Sequence, residues 1–281
     1  MGSSSSKRVR SPEALSREKR KAVRIWLLGG FRVSVGSRII SQDGWRLRKA
    51  AALVKLLALA PGHRLHREQA MDLLWPDSGR KAASNSLRRT LHAARRTLDP
   101  AEGSGYLASE DESLVLCPGG ELWVDVDAFE EAAAATRRSR EPTAYRAALD
   151  LYGGGLLPGD RYEGWTEESR RRLRETYLSL LLGLARLCEE RGYYEPAVEA
   201  LRRGVAEEPT REEAHVGLMR LYALLGSNGE ALAQYGRLEE VLLRELGTEP
   251  TASSRALREE IAAGRFPPKE VPSSPTCLRR H

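Results

Sequence analysis

The stretch SNSLRRTLHAARRTLD, residues 84–99, carries side chains suited to binding rather than to catalysis. Leu87, Leu91, Ala94 and Leu98 recur at helical spacing, which predicts a helix with one buried side. At about 100° per residue, the other side is a polar face made of Asn85, Arg88, Arg89, His92, Arg95 and Arg96. Guanidinium groups bind phosphates and the two major-groove acceptors of guanine, so this polar face favours a nucleic-acid interface.

The charge of this helix has a single sign. Between Arg80 and Leu98 there are six Lys and Arg residues and no Asp or Glu. A solvated helix usually alternates the signs, because opposite charges one turn apart stabilise it. In a helix-turn-helix, the start of the second helix meets the base edges. We therefore expect the residues nearest the bases to be Asn85, Arg88, Arg89 and His92, with Arg95 and Arg96 nearer the backbone. The alternative is an ordinary solvated face.

Motifs of catalysis and cofactor binding are missing from the sequence. There is no GxxxxGK[ST], GxSxG or HExxH, and Gly29-Gly30 lacks the third glycine of a dinucleotide fingerprint. His63 and His66 stand three residues apart in a polar connection. The cysteines have no metal-ligand spacing. We predict a protein that is not an enzyme and that holds no metal or cofactor.

Length and composition fit two globular domains in a chain of 281 residues with 41% hydrophobic and 30% charged residues. No apolar run reaches the roughly 18 residues of a membrane span. The three widely spaced cysteines are typical of a reduced, cytoplasmic protein. The net charge of +6 is uneven, with +6 in residues 1–24, +2 in 25–127, −5 in 128–264 and +3 in 265–281. The basic amino-terminal half favours a polyanion partner.

The amino-terminal half predicts a winged helix-turn-helix. VRIWLLGGFRVSVGSRII reads as short strands, and helices are expected over 46–59, 67–75 and 84–98, the last starting as early as Arg80. YLAS and SLVLC then flank Glu110-Asp111-Glu112, which predicts a hairpin, and LWVDV at 122–126 adds a strand. The acidic tip would repel phosphates, so this wing either stands away from DNA or faces a protein.

The carboxy-terminal half predicts helical repeats. Gly183, Leu184, Gly192, Ala197 and Leu201 have counterparts 34 residues later. This is the tetratricopeptide period, in which pairs of antiparallel helices stack and small residues allow close contact. Helices near 127–150 and 166–182 are needed to complete the stack. The fold class is therefore mainly α with a small β component, and the predicted segments are a disordered basic tail (1–22), a winged-helix domain (23–126), a repeat domain (127–264) and a disordered Pro/Ser-rich tail (265–281).

Six stretches, in this order, resemble the SARP family of bacterial regulators, in which an OmpR-type winged helix precedes a bacterial transcriptional activator domain. They span residues 25–264 and are LLGGFRV, RLRKAAALVKLLAL, EQAMDLLWPD, SNSLRRTLHAARRTL, LWVDVDAFE and GSNGEALAQYGRLEEVLLRELGTEPT. The given sequence has no receiver domain before the winged helix and no ATPase module after the repeats, so the resemblance implies neither phosphorylation nor nucleotide control for it. It fits either a naturally short form or a truncation of a longer regulator that contains an ATPase.

The resemblance implies a sequence-specific activator whose recognition helix is 84–98. It implies binding of double-stranded DNA at promoter direct repeats, contact with RNA polymerase through a loop near 76–83, and self-association through the repeat domain. The loop residues singled out are Asp77, Arg80 and Lys81. The protein would be cytoplasmic and associated with the nucleoid when bound to DNA. The rival hypothesis is an interaction scaffold whose basic winged helix contacts an acidic protein.

Overall fold

A four-stranded sheet opens the structure, a computed structural model that describes residues 21–100 and 105–267. Its strands, in the spatial order β3-β2-β1-β7, are β1 (Val23–Trp26), β2 (Arg32–Val35), β3 (Arg38–Ser41) and β7 (Leu122–Val124). The first three strands are antiparallel, and β7 adds in parallel beside β1. The expected strand after the hairpin is therefore confirmed. The predictions for residues 1–20 and 268–281 lie outside the described residues.

Three helices and a second sheet follow. They are α1 (Arg48–Leu59), β4 (Arg64–His66), α2 (Arg67–Leu74), α3 (Arg80–Leu98), β5 (Leu107–Glu110) and β6 (Ser113–Leu116). The second sheet has the order β4-β6-β5, and the β5–β6 hairpin is the wing. The winged helix-turn-helix predicted from the sequence is confirmed, with α3 starting at the early limit, Arg80.

The core of the winged helix is made by leucines from all three helices. Leu53 and Leu57 of α1, Leu74 of α2, and Leu87 and Leu98 of α3 are fully buried. On α1 the predicted apolar run is interrupted by Lys55, which is buried as well and pairs with Asp160 at 2.6 Å. A buried ammonium group needs such a partner, because burial strips it of water.

The rest of the chain is helical. Its helices are α4 (Asp125–Ser139), α5 (Pro142–Leu151), α6 (Glu167–Glu190), α7 (Tyr194–Glu207), α8 (Glu212–Leu224), α9 (Asn228–Leu246) and α10 (Ala252–Ala262). The predicted helical stretch 127–150 is thus two helices, separated at Arg140, whose φ of 48° lies in the left-handed region. Among the described residues, no helix is long and apolar enough to cross a membrane.

The 34-residue repeat corresponds to two stacked helix pairs, α6–α7 and α8–α9. Gly192 and Gly226 occupy equivalent turns with φ of 74° and 77°, which favour glycine. A Cβ at Gly217 would lie 2.7 Å from Leu201 Cδ1, so the small residue lets α8 approach α7 closely. The helical repeat predicted from the period is confirmed.

Packing divides the chain into two compact units. Among the described residues, the first unit contains those up to Ala134 together with Asp150–Arg174. The second contains Ala135–Leu149 and the residues from Glu175 onward. These units interleave along the chain, so they are not the same segments as the predicted domains 23–126 and 127–264, which stay a prediction.

Asp125 ties the end of β1 to the start of α4. Its carboxylate is buried and accepts hydrogen bonds from the backbone N–H groups of Leu27 and Leu28 at 2.9–3.0 Å. Burial raises the pKa of Asp125 to about 6, against the opposing effect of the backbone donors. The folded protein therefore binds this proton more tightly than the unfolded chain does.

We predict that Asp125 makes stability depend on pH in an unusual direction for a carboxylate. Because its folded pKa lies above its ordinary value of 3.8, the contribution is most favourable in acid and is lost as pH rises through 6. The free energy of unfolding of the native chain, minus that of Asp125→Asn, should fall by about 2 kcal/mol between pH 4 and pH 7. Urea titrations at both pH values measure it, and a pH-independent difference would contradict it.

Candidate nucleic-acid interface

The polar face of α3 points to solvent along its whole length. All six residues predicted for it are exposed, namely Asn85, Arg88, Arg89, His92, Arg95 and Arg96. The reason is the opposite side of the helix, where Leu87, Leu91, Ala94 and Leu98 are buried. The arrangement inferred from helical spacing is therefore present in the fold, while the binding role of the six residues stays a prediction.

Arg88 and Arg89 are available for a ligand. Within the described residues, neither guanidinium makes a hydrogen bond or an ion pair, and both stand near the middle of α3. The helix itself contains no acidic residue, so neither arginine is neutralised by a neighbour one turn away.

Arg95 differs from the other arginines because it is already bound to the wing. Its Nε donates to the carbonyl oxygen of Leu107 at 2.8 Å, and its Nη2 donates to Ser109 Oγ at 3.1 Å. Both acceptors lie on β5 and carry no formal charge. Arg95 therefore joins α3 to the hairpin and keeps its own positive charge.

The acidic wing tip is only partly compensated. Glu110 forms an ion pair with Arg64 of the neighbouring strand β4. Asp111 occupies the turn with a φ of 52°, and Asp111 and Glu112 are exposed. The base of the hairpin thus carries the positive groups Arg64 and Arg95, and the negative charge is concentrated at its tip.

The connection before α3 is shorter than the predicted loop 76–83. Since α2 ends at Leu74 and α3 begins at Arg80, the connection comprises residues 75–79. Arg80 and Lys81 therefore belong to the first turn of α3, and Arg80 pairs with Glu68 of α2. Asp77 lies in the connection and is exposed.

Two arginines near the end of α3 were not found by sequence reasoning. Arg38 of β3 donates to the carbonyl oxygens of Thr97 and Leu98, which have no partner inside the helix. Together with Arg46 and Arg96, Arg38 lines a cleft of about 350 Å³. Arg38 stands in GSRII and Arg46 in the basic run RLRK, but only the packing of these segments against the end of α3 brings both arginines to Arg96.

A second cleft lies on the other side of Arg96. It has a volume of about 480 Å³ and lies between α3 and the wing, where its lining includes His92, Arg95 and Tyr106. Both clefts are open and basic, so each can receive a phosphate group of a nucleic-acid backbone. The first cleft extends the cationic surface beyond the six residues predicted on α3, because it adds Arg38 and Arg46.

His63 has a structural partner. Its Nε2 lies 3.1 Å from Asp127 Oδ2, and this hydrogen bond raises the pKa of His63. Among the described residues, no group of three or more His, Cys, Asp or Glu side chains is arranged to hold a metal ion. Cys117 and Cys188 are buried.

The repeat half matches a known family. Residues 124–262 match the bacterial transcriptional activator domain. The match covers α4 to α10, which include both stacked helix pairs of the 34-residue repeat.

Similar curated proteins are bacterial regulators. The chain is 27% identical over 251 residues to the regulatory protein AfsR of Streptomyces coelicolor, covering 87% of this chain and 24% of AfsR. It is 28% identical over 228 residues to the regulatory protein DnrI of Streptomyces peucetius, covering 76% of this chain and 84% of DnrI. The chain thus spans about a quarter of the length of AfsR and most of the length of DnrI.

A solved structure has the same fold. Mycobacterium tuberculosis EmbR, determined in complex with a low-affinity phosphopeptide, superposes with a TM-score of 0.68 at 22% identity, over 87% of this chain and 66% of that one. The fold defines a winged helix-turn-helix protein with a helical repeat domain. Residues 124–262 thus match the family of bacterial transcriptional activator domains, and most of the chain is similar to named bacterial regulators.

We predict that Arg95 contributes to stability and Arg96 does not. Arg95→Ala removes two hydrogen bonds between α3 and β5 and should lower the free energy of unfolding by about 1 kcal/mol. Arg96→Ala, the matched control, removes an equally exposed cation and should change it by less than about 0.5 kcal/mol. Urea unfolding compares the two, and equal losses would contradict the assignment.

Proposed function

We propose that this chain is a DNA-binding transcriptional regulator that reads double-stranded DNA with the polar face of α3. The observation that carries the proposal is the exposure of Arg88 and Arg89 without any protein partner among the described residues, on a helix whose other side is the winged-helix core. In a helix-turn-helix, this position places side chains at base edges of the major groove. The match of residues 124–262 to the bacterial transcriptional activator domain and the similarity to named regulators support the same function.

Base reading and backbone contact fall to different residues in this proposal. Asn85, Arg88, Arg89 and His92 read bases, because they form the part of the polar face that precedes Arg95 and Arg96 and lies around the middle of α3. Arg96 binds phosphate with Arg38 and Arg46, since the three line one cleft. Arg95 lies where α3 meets the lower part of the wing, and there it faces the DNA backbone. The acidic tip of the wing stays away from the DNA phosphates.

Activation is the finer part of the proposal. We propose that the protein binds promoter direct repeats as a homo-oligomer, recruits RNA polymerase through Asp77, Arg80 and Lys81, and acts in the cytoplasm without chemistry of its own. Asp77 is exposed in the connection before α3, and Lys81 is exposed in the first turn of the helix. Asp77 precedes the helix, so it stays accessible while α3 lies on DNA.

We predict that Arg88→Ala and Arg89→Ala each weaken specific binding by about 1–3 kcal/mol and relax the sequence preference at one base pair, if the side chain reads a base. Arg96→Ala should weaken binding to all sequences alike and lower the salt dependence of log K by about one unit. Footprinting on genomic fragments followed by salt titration measures both effects.

The control for this experiment removes two exposed cations from the other unit, Arg244 and Arg255, whose side chains are paired with glutamates. The double variant should bind DNA like the native chain. If the variant with alanine at Arg88, Arg89, Arg95 and Arg96 still protects the same promoter sequence, the recognition helix is assigned wrongly. If the native chain binds DNA only weakly and without sequence preference, the scaffold hypothesis is favoured.

We further predict that Asp77→Ala separates activation from binding. The substitution should leave the footprint unchanged within about twofold, because Asp77 lies in the connection before α3 and not on the polar face, and should abolish stimulation of transcription by purified polymerase. Asp150→Ala, which removes another exposed carboxylate, is the matched control and should retain stimulation. Loss of the footprint in Asp77→Ala would contradict the separation.

A further inference from the structure

A cleft on the second unit has features that DNA binding does not use. It lies between α7, α8 and α9 and has a volume of about 500 Å³. Its apolar wall comes from Val205, Leu218 and Ala233, and two arginines, Arg202 and Arg237, line the same cleft. An apolar pocket with a few charged groups is the usual form of a small-molecule site.

Both arginines of the cleft are held by neutral acceptors. Arg202 Nε donates to the hydroxyl of Tyr222 at 3.0 Å, and its guanidinium carbon lies 5.8 Å from the centre of that ring. Arg237 Nη1 donates to Gln234 Oε1 at 2.7 Å. Because a phenol and an amide carry no charge, these contacts fix each guanidinium without neutralising it.

Most of the paired arginines elsewhere in this unit have carboxylate partners. The pairs are Arg191–Glu141, Arg211–Glu175, Arg220–Glu189, Arg244–Glu240 and Arg255–Glu249. This half of the chain has an excess of acidic residues, so carboxylate partners are plentiful. The two arginines of the cleft differ from these because neutral groups hold them; Arg203, which Tyr177 holds in the same way, does not line the cleft.

A buried chain of hydrogen bonds orients Arg237. His215 and Gln234 are each only 2% exposed, although both are polar. His215 Nε2 lies 2.9 Å from the carbonyl oxygen of Pro209, and its Nδ1 lies 2.8 Å from Gln234 Nε2. Since a carbonyl can only accept, Nε2 carries the proton and Nδ1 accepts from the amide. The amide oxygen of Gln234 is then directed to Arg237.

His215 keeps this series of hydrogen bonds in one arrangement. Burial and the nearby Arg237 lower the pKa of His215, which favours the neutral ring that can accept from Gln234. Burying the side chains of His215 and Gln234 among packed helices costs free energy unless each is hydrogen-bonded, as both are here. A polar network of this kind specifies the position of one side chain, and that side chain lines the cleft.

We propose that the cleft binds a small organic oxyanion, whose carboxylate or phosphate group lies between Arg202 and Arg237 and whose apolar part lies against Val205 and Leu218. Glu230 also lines the cleft and contributes a charge next to Arg202. It disfavours a second anionic group on the ligand, so a compound with one charged end fits best. This site would make the repeat unit a ligand sensor, and the proposal does not depend on DNA binding.

The test uses the full chain with benzoate and phenyl phosphate as probes and inorganic phosphate as the head group alone. Isothermal titration should show saturable binding of one aromatic probe, which decides between carboxylate and phosphate. Arg202→Gln with Arg237→Gln should weaken it by about tenfold or more, because charge-assisted hydrogen bonds are lost. Glu230→Gln should strengthen it.

Arg203→Gln is the matched control. Arg203 neighbours Arg202, donates to the hydroxyl of Tyr177 at 2.8 Å and lies 5.7 Å from that ring, but it does not line the cleft. Its variant should bind the probe like the native chain, and an equal loss there would overturn the proposal, as would the absence of saturable binding by either probe. In the native chain the NMR signals of the Gln234 side-chain amide should shift on titration, which keeps the test decisive if the double variant does not fold.

Discussion

The burial of one side of α3 is the constraint on which the proposed DNA interface depends. Leu87, Leu91 and Leu98 are removed from water, and each contributes about 2 kcal/mol to holding the helix in its rotational setting. Surface ion pairs contribute less than about 1 kcal/mol each, so they could not turn the helix over. The exposure of the arginines follows from apolar packing on the far side. This explains how a helix can gather like charges without acidic neighbours to stabilise it.

The wing is held against α3 by one residue of the polar face. Arg95 is exposed and basic, and its hydrogen bonds to Leu107 and Ser109 connect α3 to β5. Arg64 compensates Glu110 from the other edge of the hairpin. The basic helix therefore contacts the wing at uncharged groups of β5, and Arg64 compensates one of the three acidic residues. The other two, Asp111 and Glu112, lie in the turn of the hairpin.

Most helices and hairpins of this structure could be predicted from the sequence, because the patterns that specify them lie within short segments. The buried stripe of α3, the wing hairpin and the 34-residue repeat all follow from spacing within short windows. Contacts across long separations were beyond reach. Asp125 accepts a hydrogen bond from Leu27, which is 98 residues away in the sequence. No local pattern in LWVDV predicts that its aspartate is buried.

The same distinction applies within the candidate site. Helical periodicity found the six residues of the polar face, because they share one element. Arg38 and Arg46 join Arg96 only after two different elements pack against the end of α3. The end of the helix near Arg140 was missed for another reason, since a left-handed φ at a non-glycine residue goes against the preference of the local sequence.

Net charge is a weak guide to the partners of such a chain, and the kind of group that holds each arginine is a better one. Residues 128–264 carry −5, which suggests a partner of positive charge. However, exposed charges are screened beyond about 8–10 Å at physiological salt, so each site responds to its own neighbours. A guanidinium paired with a carboxylate has little left to offer an anion, whereas one held by a phenol, an amide or a carbonyl keeps its full charge. By this criterion Arg38 and Arg95 in the first unit, and Arg202, Arg203 and Arg237 in the second, are among the oriented cations, and Arg202 and Arg237 share one cleft. An acidic repeat unit can therefore hold an anion-binding cleft.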